Sequence, residues 1–109
     1  MATSYKVLGQ VNPAATTATT AYTVPSSTET VISTVAICNT GAAPATYRIA
    51  VRPNGASIET KHYVVYDSSL APQDTQTLTL GMTLDATDVV TVYASTANFA
   101  FNLFGSEIA

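Results

Sequence analysis

The sequence predicts an all-β fold: an antiparallel β-sandwich of jelly-roll-like type, with about eight strands and no significant helix. Apolar and polar residues alternate with a period of two over much of the chain, which is typical of strands with one buried face. Turn-forming residues interrupt this alternation roughly every 8 to 12 positions. No stretch combines a helical period with helix caps. The 109 residues have the length of a single domain spanning 1–109.

Four strands are predicted in the first half of the chain, near residues 4–10, 15–24, 29–39 and 45–52. The alternation is clearest in the fourth, where Tyr47, Ile49 and Val51 share one face. The third is apolar on both sides, which predicts a central strand covered on both faces. The Thr- and Ala-rich stretch 14–21 is predicted to be an edge strand. The alternative is an N-terminal arm over residues 1–20 that orders on a neighbouring molecule.

Four more strands are predicted in the second half, near residues 61–67, 74–80, 88–95 and 98–107. In the last of them Phe99, Phe101 and Leu103 alternate with small or polar residues. The breaks between strands carry turn chemistry. The segment Pro53-Asn54-Gly55, for example, supplies a fixed φ followed by two residues that tolerate positive φ.

The charge content argues against binding to nucleic acid. Charged residues make up 10% of the chain, Lys and Arg number 4, and the formal net charge is −3. Since a nucleic-acid backbone is bound through several Lys or Arg contacts to phosphates, we expect no nucleic-acid partner. Arg48 and Arg52 fall on one face of a predicted strand. There they form either a small basic patch or, as we expect, two solvated charges.

No targeting or membrane-spanning segment is predicted. The N-terminal stretch is polar, and no apolar run approaches the length of a transmembrane helix. Cys38 is the single cysteine, so no disulfide within the chain is expected. These features predict a protein made in a reducing cytosol, with no membrane partner.

The sequence contains no recognisable catalytic or metal-binding motif. Nucleophilic catalysis requires a nucleophile, a base and an orienting group, but His62 is the single histidine and lies in a strand-like stretch. Cys38 is expected to pack as a small buried hydrophobe. Asp85 and Asp88 lack the ligand spacing of a calcium loop, so we expect them to bond backbone N–H groups in a turn. We expect no enzyme activity, no metal, no cofactor and no small-molecule substrate.

Tyrosines supply most of the candidate interface residues, because Tyr gives a large contact area at low entropic cost and keeps a polar tip. Tyr63 and Tyr66 are three positions apart in one predicted strand. We therefore expect them on opposite faces, with at least one facing outward. The interface candidates taken together are Tyr5, Tyr22, Arg48, Arg52, Tyr63 and Tyr66.

Segments that combine predicted strands with the turn residues beside them cover most of the chain. In the second half they are 70–75, 78–84, 88–95 and 101–107, and in the first half 22–25, 37–39 and 47–51. Together they resemble the small virion structural proteins of tailed bacteriophages. The shared motifs are strands and turns, and no catalytic motif is among them.

The resemblance implies a β-sandwich component of the phage particle, most simply a capsid decoration or cement protein on the head surface, made in the host bacterial cytoplasm. The implied partners are the major capsid protein and further copies of the chain itself, with a trimer as the first expectation. No individual site residue carries over, because such proteins bind through whole surfaces.

Two alternatives stay open. One is a tail, baseplate or fibre component of the same particle. The other is a carbohydrate-binding module that uses Tyr63, Tyr66 and Tyr93 as an aromatic platform. The absence of Trp argues against the second alternative.

Overall fold

Nine β-strands and two short 3₁₀ turns, at Pro53–Gly55 and Thr60–His62, follow one another in residues 2–109, which are the residues that the computed structural model describes. The predicted all-β class is confirmed. The strands are β1 (Thr3–Val11), β2 (Thr19–Thr23), β3 (Glu29–Asn39), β4 (Ala45–Arg52), β5 (Tyr63–Leu70), β6 (Thr75–Leu78), β7 (Met82–Leu84), β8 (Val89–Ala94) and β9 (Phe99–Ile108). Neither helical turn in the described range has the length or apolar character to cross a membrane.

The strands form two antiparallel sheets that pack face to face. Sheet I runs in the order β1, β9, β3, with β6 and β7 both paired to the far side of β3. Sheet II runs in the order β2, β8, β4, β5. When β6 and β7 are counted as one interrupted strand, this is the strand order of a jelly roll. The predicted jelly-roll-like sandwich is therefore confirmed.

The strand predicted over 74–80 is shorter in the structure and is followed by a second one. β6 pairs with residues 35–38 of β3 and β7 with residues 30–32, and the gap faces a bulge at Ser33 in β3. Gly81 turns the chain between them at a φ of +60°, a conformation that favours glycine. β7 was missed because three residues after a glycine give too little periodic signal.

The core lies between the two sheets, and the alternation in the sequence correctly places its largest rings. Tyr47 on β4 and Phe99 and Phe101 on β9 are fully buried. Their ring centroids lie 5.9 to 6.2 Å apart in tilted or edge-on arrangements. Removing one such ring from water contributes about 3 kcal/mol.

β3 is central in sheet I as predicted, but only one of its faces is covered. Ile32 and Ile37 point into the core and are fully buried, whereas Val31 and Cys38 on the outer face are half-buried. The expectation of two covered faces is wrong, because within residues 2–109 no further layer packs outside sheet I. Cys38 is accordingly half-buried and not the buried hydrophobe expected.

The N-terminal segment is built into the sandwich. β1 pairs with β9 over its whole length, and β2 pairs with β8. The loop between β1 and β2 is held by Thr16, whose backbone N–H donates to the carbonyl of Ala94 at 2.8 Å. These contacts place residues 2–20 of the alternative arm within the domain. Only residues 19–21 of the Thr- and Ala-rich stretch lie in the edge strand β2, whereas residues 14–18 form a loop, so the edge-strand prediction is confirmed for the end of the stretch alone.

A buried amide ties the two sheets together at the end of β3. Asn39 is fully buried, and its Nδ2 donates to the carbonyl oxygens of Ala43 at 2.9 Å and Leu70 at 3.1 Å. Its Oδ1 accepts the backbone N–H of Gly41 at 3.0 Å. Leu70 ends β5 in sheet II. One side chain therefore closes the loop after β3 and joins it to the opposite sheet.

Candidate functional site

The outer face of sheet I is apolar over the half where β1 begins and β9 ends, although an exposed sheet face is ordinarily polar. Tyr5 and Val7 on β1 are 85% and 49% exposed, and Phe104 on β9 is 38% exposed. Val7 is paired directly with Phe104, and Tyr5 is two positions from Val7, so the three point to the same side. Half-buried Val31 and Ile108 extend this surface. These five residues are called the sheet I patch.

The sheet I patch lies beside an open edge of the sandwich. β1 is the edge strand of sheet I, and a groove of about 370 Å³ runs across the patch between Tyr5, Val31 and Phe104. An edge strand that carries exposed apolar side chains is a surface that natural proteins normally pair or cover. This part of the molecule is suited to contact with another protein.

Tyr22, one of the predicted interface residues, lies inside the sandwich. It is only 8% exposed, and its hydroxyl is hydrogen-bonded to Thr30 at 2.8 Å and donates to the Glu107 carboxylate. Glu107 also forms a salt bridge with Lys6, whose Nζ lies 2.7 Å from Glu107 Oε1. The expectation of a surface role is wrong for Tyr22, because its polar tip bridges sheet II to sheet I and does not face water.

This network makes the free energy of unfolding depend on pH at both extremes. The hydrogen bonds from Lys6 and then Tyr22 lower the pKa of Glu107, so its stabilisation is present at neutral pH and is lost as pH falls through the folded-state pKa. Burial, and then the bond to Glu107, raise the pKa of Tyr22 from 10.0 to about 12. The Tyr22 hydroxyl therefore loses its proton at a lower pH in the unfolded chain than in the folded protein. We expect the free energy of unfolding to fall by about 2 kcal/mol as pH rises between these two pKa values.

Urea titrations from neutral pH to about pH 12 measure this decline. In Tyr22→Phe the decline should be reduced, and a remainder is expected from Tyr47, whose pKa is also raised by burial. Tyr5→Phe, at an exposed tyrosine, is the matched control and should keep the full decline. An alkaline decline of the same size in Tyr22→Phe and in the unsubstituted protein would contradict the assignment.

Three tyrosines and an ion pair cover part of the outer face of sheet II. The guanidinium carbon of Arg48 lies 4.3 Å from the centre of the Tyr66 ring and 4.2 Å from that of Tyr93, which are cation–π distances. Tyr63 packs edge-to-face on Tyr66 with ring centroids 4.8 Å apart. The Asp67 carboxylate accepts hydrogen bonds from Arg48 Nε at 2.6 Å and from Arg48 Nη2 at 3.2 Å. Arg48, Tyr63, Tyr66, Asp67 and Tyr93 are called the tyrosine–arginine cluster.

An irregular β5 brings these side chains together. The register between β4 and β5 shifts on both sides of Ile49, so that Tyr66 and Asp67 both lie opposite Arg48. Asp67 has a φ of +51°, a left-handed conformation that fits such a bulge. The expectation that Tyr63 and Tyr66 lie on opposite faces is wrong, because the irregularities break the period of two between them.

Both arginines of β4 are bound by groups of the chain itself. The hydrogen bonds between Arg48 and Asp67 raise the pKa of the guanidinium and lower that of the carboxyl, so both stay charged at neutral pH. Arg52 donates from Nε to the Thr91 hydroxyl at 3.1 Å and from Nη1 to the Ala56 carbonyl at 3.0 Å. This arrangement does not favour the alternative of a basic patch.

Two recesses flank the tyrosine–arginine cluster. The larger, of about 650 Å³, is lined by Ile58, Glu59, Thr60, Tyr63 and Tyr66. The smaller, of about 200 Å³, lies beside Arg48 and Tyr93, and the small residues Ala50 and Thr91 also line it. Ile58 and Tyr63 line both recesses. Tyr63 therefore borders both recesses.

The other residues weighed for chemistry have structural contacts. His62 is buried, and its Nδ1 accepts the backbone N–H of Glu59 at 3.0 Å, which closes the turn before β5. Asp88 accepts the N–H groups of Asn54 at 2.8 Å and Asp85 at 2.9 Å, and Asp85 bonds the next N–H along the chain. The expected turn bonding of the two acids is confirmed. Over residues 2–109, no group of three His, Cys, Asp or Glu side chains is placed to hold a metal ion.

The structure thus separates the predicted site residues into two surfaces and the interior. Tyr5 lies on sheet I, while Arg48, Tyr63 and Tyr66 meet on sheet II. Val7 and Phe104 are not among the interface residues predicted from the sequence, although apolar residues at outward positions of an otherwise alternating strand were the available signal. Comparison with protein families, curated proteins and solved structures gives no match to this chain.

Proposed function

We propose that this chain is a non-enzymatic structural protein of a tailed-bacteriophage virion, and that it binds the assembled major capsid lattice as a decoration, or cement, protein. The observation that carries the proposal is the sheet I patch, where Tyr5, Val7 and Phe104 are exposed on one sheet face beside an edge strand. A contiguous exposed apolar surface of this kind marks a site of contact with another protein.

Two further features support the proposal. The strand-and-turn segments of the sequence resemble small virion proteins of tailed phages. The jelly roll is an architecture found in viral capsid domains, which is an analogy of fold and not of function.

A cement protein acts by mass action, because a protein that binds only the assembled shell stabilises that shell. Fully burying an exposed side chain of this size contributes roughly 1.5 to 3 kcal/mol. Val7 and Phe104 are already half or more covered, so each contributes less, and the costs of association are then subtracted. A single copy therefore binds weakly. Self-association, with a trimer as our first expectation, gives several linked contacts and raises the overall affinity through effective concentration.

Co-sedimentation with expanded capsids of the phage that encodes the chain tests the proposal. We expect saturable binding by the unsubstituted protein, and an affinity at least about tenfold lower for Val7→Thr combined with Phe104→Ser, because the apolar contact is lost. Val64→Thr on β5 is the matched control, since Val64 is 48% exposed and lies on sheet II. Its binding should equal that of the unsubstituted protein.

Thermal melts of each variant show whether the fold is kept. The proposal is overturned if the folded, unsubstituted protein does not bind expanded capsids. A control variant that loses binding as strongly as the sheet I double variant would remove the patch from the contact.

Immunogold labelling of intact particles separates the head from the tail. A decoration protein labels the whole head surface densely, because it is present wherever the capsid lattice repeats. Label confined to the tail or its tip would replace the capsid assignment with that of a tail, baseplate or fibre component.

A further inference from the structure

The tyrosine–arginine cluster takes no part in the proposed capsid contact, because it lies on the outer face of sheet II and the sheet I patch lies on that of sheet I. We infer that the cluster and the two recesses beside it bind a neutral oligosaccharide. This binding site is separate from the proposed function and does not depend on it.

The cluster is held in place before any ligand arrives. Arg48 is fixed between the Tyr66 and Tyr93 rings and is bonded through two nitrogens to Asp67. Tyr63 is fixed in turn by its edge-to-face contact with Tyr66. Side chains that are already ordered lose little conformational entropy on binding, so a weakly interacting ligand is bound more tightly.

The charges around the cluster favour a neutral ligand. The positive charge of Arg48 is offset by the Asp67 carboxylate at 2.6 Å, and Glu59 lines the larger recess. An anionic ligand would meet no uncompensated positive charge among these side chains and would be repelled by Glu59. The carboxylate of Glu59 is instead a hydrogen-bond acceptor for a neutral hydroxyl group.

The shape and chemistry of the surface match a sugar ring. A tyrosine ring has apolar faces and a hydroxyl group at its edge. Arg48 covers one face of Tyr66 and one of Tyr93, but Tyr66 is still 59% exposed. A pyranose offers a matching apolar C–H face surrounded by hydroxyl groups. The larger recess has a volume of about 650 Å³, within the usual range for small-molecule sites. Because Tyr63 lines both recesses, the site accommodates two adjoining sugar units, one in each recess.

Titration of the full chain with neutral hexasaccharides of glucose, mannose, galactose and N-acetylglucosamine tests the inference. The chain has no Trp and three of its six tyrosines lie in the cluster, so a change in tyrosine emission accompanies binding there, and calorimetry gives the affinity. We expect saturable binding of at least one of these sugars. Tyr66→Ala should weaken it at least about tenfold, because a stacking surface and the neighbour of Arg48 are both removed.

Three further variants sharpen the test. Arg48→Lys should also weaken binding, since an ammonium group does not fill the flat space between two rings. Tyr66→Phe keeps the ring and should retain most of the affinity. Tyr5→Ala, at an exposed tyrosine on the other sheet, is the matched control and should bind sugar like the unsubstituted protein.

The inference is overturned if none of the four neutral sugars binds saturably. It is equally overturned if Tyr66→Ala, with its fold verified by a thermal melt, binds as tightly as Tyr5→Ala, or if only sulfated or acidic sugars or peptides bind. Capsid co-sedimentation of Tyr66→Ala keeps the two proposals distinct, because this variant should retain its capsid affinity while losing sugar binding.

Discussion

We expect Gly105→Ala to lower the free energy of unfolding by about 3 to 5 kcal/mol. A Cβ atom added at Gly105 would clash with the carbonyl oxygen of Val31 and would lie 3.0 Å from the Cα of Ile32. Both atoms belong to the backbone of β3, which cannot move aside as a flexible side chain does. Since β9 lies between β1 and β3, a displacement there disturbs the pairing on both sides.

Urea or guanidinium unfolding measures this loss. Gly81→Ala is the informative control, because Gly81 has a φ of +60° but no atom within 4 Å of an added Cβ. That variant carries backbone strain without a clash and should lose only about 1 kcal/mol. Equal losses in the two variants would show that the close approach of β9 to β3 is not what requires glycine at Gly105.

Asn39→Ala is expected to have the second largest effect, a loss of about 3 kcal/mol. The substitution removes the two bonds to the carbonyls of Ala43 and Leu70 and the bond from the Gly41 N–H. The contact with Leu70 is buried, and a buried carbonyl left without a donor costs more than an exposed one. The loop after β3 loses its attachment to sheet II at the same time.

Asn12→Ala provides the comparison. Asn12 also donates to two carbonyls, those of Ala97 at 2.9 Å and Phe99 at 2.6 Å, but its side chain is exposed. Water replaces the lost donor at the exposed Ala97 carbonyl, and only the bond to Phe99 is part-buried, so the loss should be smaller, about 1 to 2 kcal/mol. A loss in Asn39→Ala no greater than in Asn12→Ala would show that burial does not set the cost.

The sandwich and its core could be predicted because they depend on local alternation. Phe99, Phe101 and Leu103 are buried as their spacing predicts, and all three lie on the inner face of β9. The role of Asn39 could not be predicted in this way. Its partner Leu70 lies 31 positions away, and a single asparagine in a strand gives no pattern that indicates a distant partner.

The candidate sites were predicted less well, and the reason is irregular strand pairing. Tyr63 and Tyr66 meet on one face only because the register of β5 shifts against β4. A bulge depends on how two strands pair with each other, so the alternation of residues within one strand does not predict it. Tyr5 and Tyr22 are both N-terminal tyrosines, yet one is exposed and the other buried. Tyr22 points into the sandwich, where its hydroxyl donates a hydrogen bond to Glu107, 85 positions away, and no local pattern indicates that partner.

The central position of β9 in sheet I also governs how the chain reaches its native state. β9 follows the other eight described strands in sequence, yet it lies between β1 and β3. During synthesis, the first and third strands leave the ribosome long before the strand that joins them. Topologies dominated by such distant pairings fold slowly, on the order of milliseconds to seconds. Until β9 pairs with them, the backbone edges of β1 and β3 that it joins are unpaired and open to other nascent chains, so the yield of native protein depends on how fast this pairing forms.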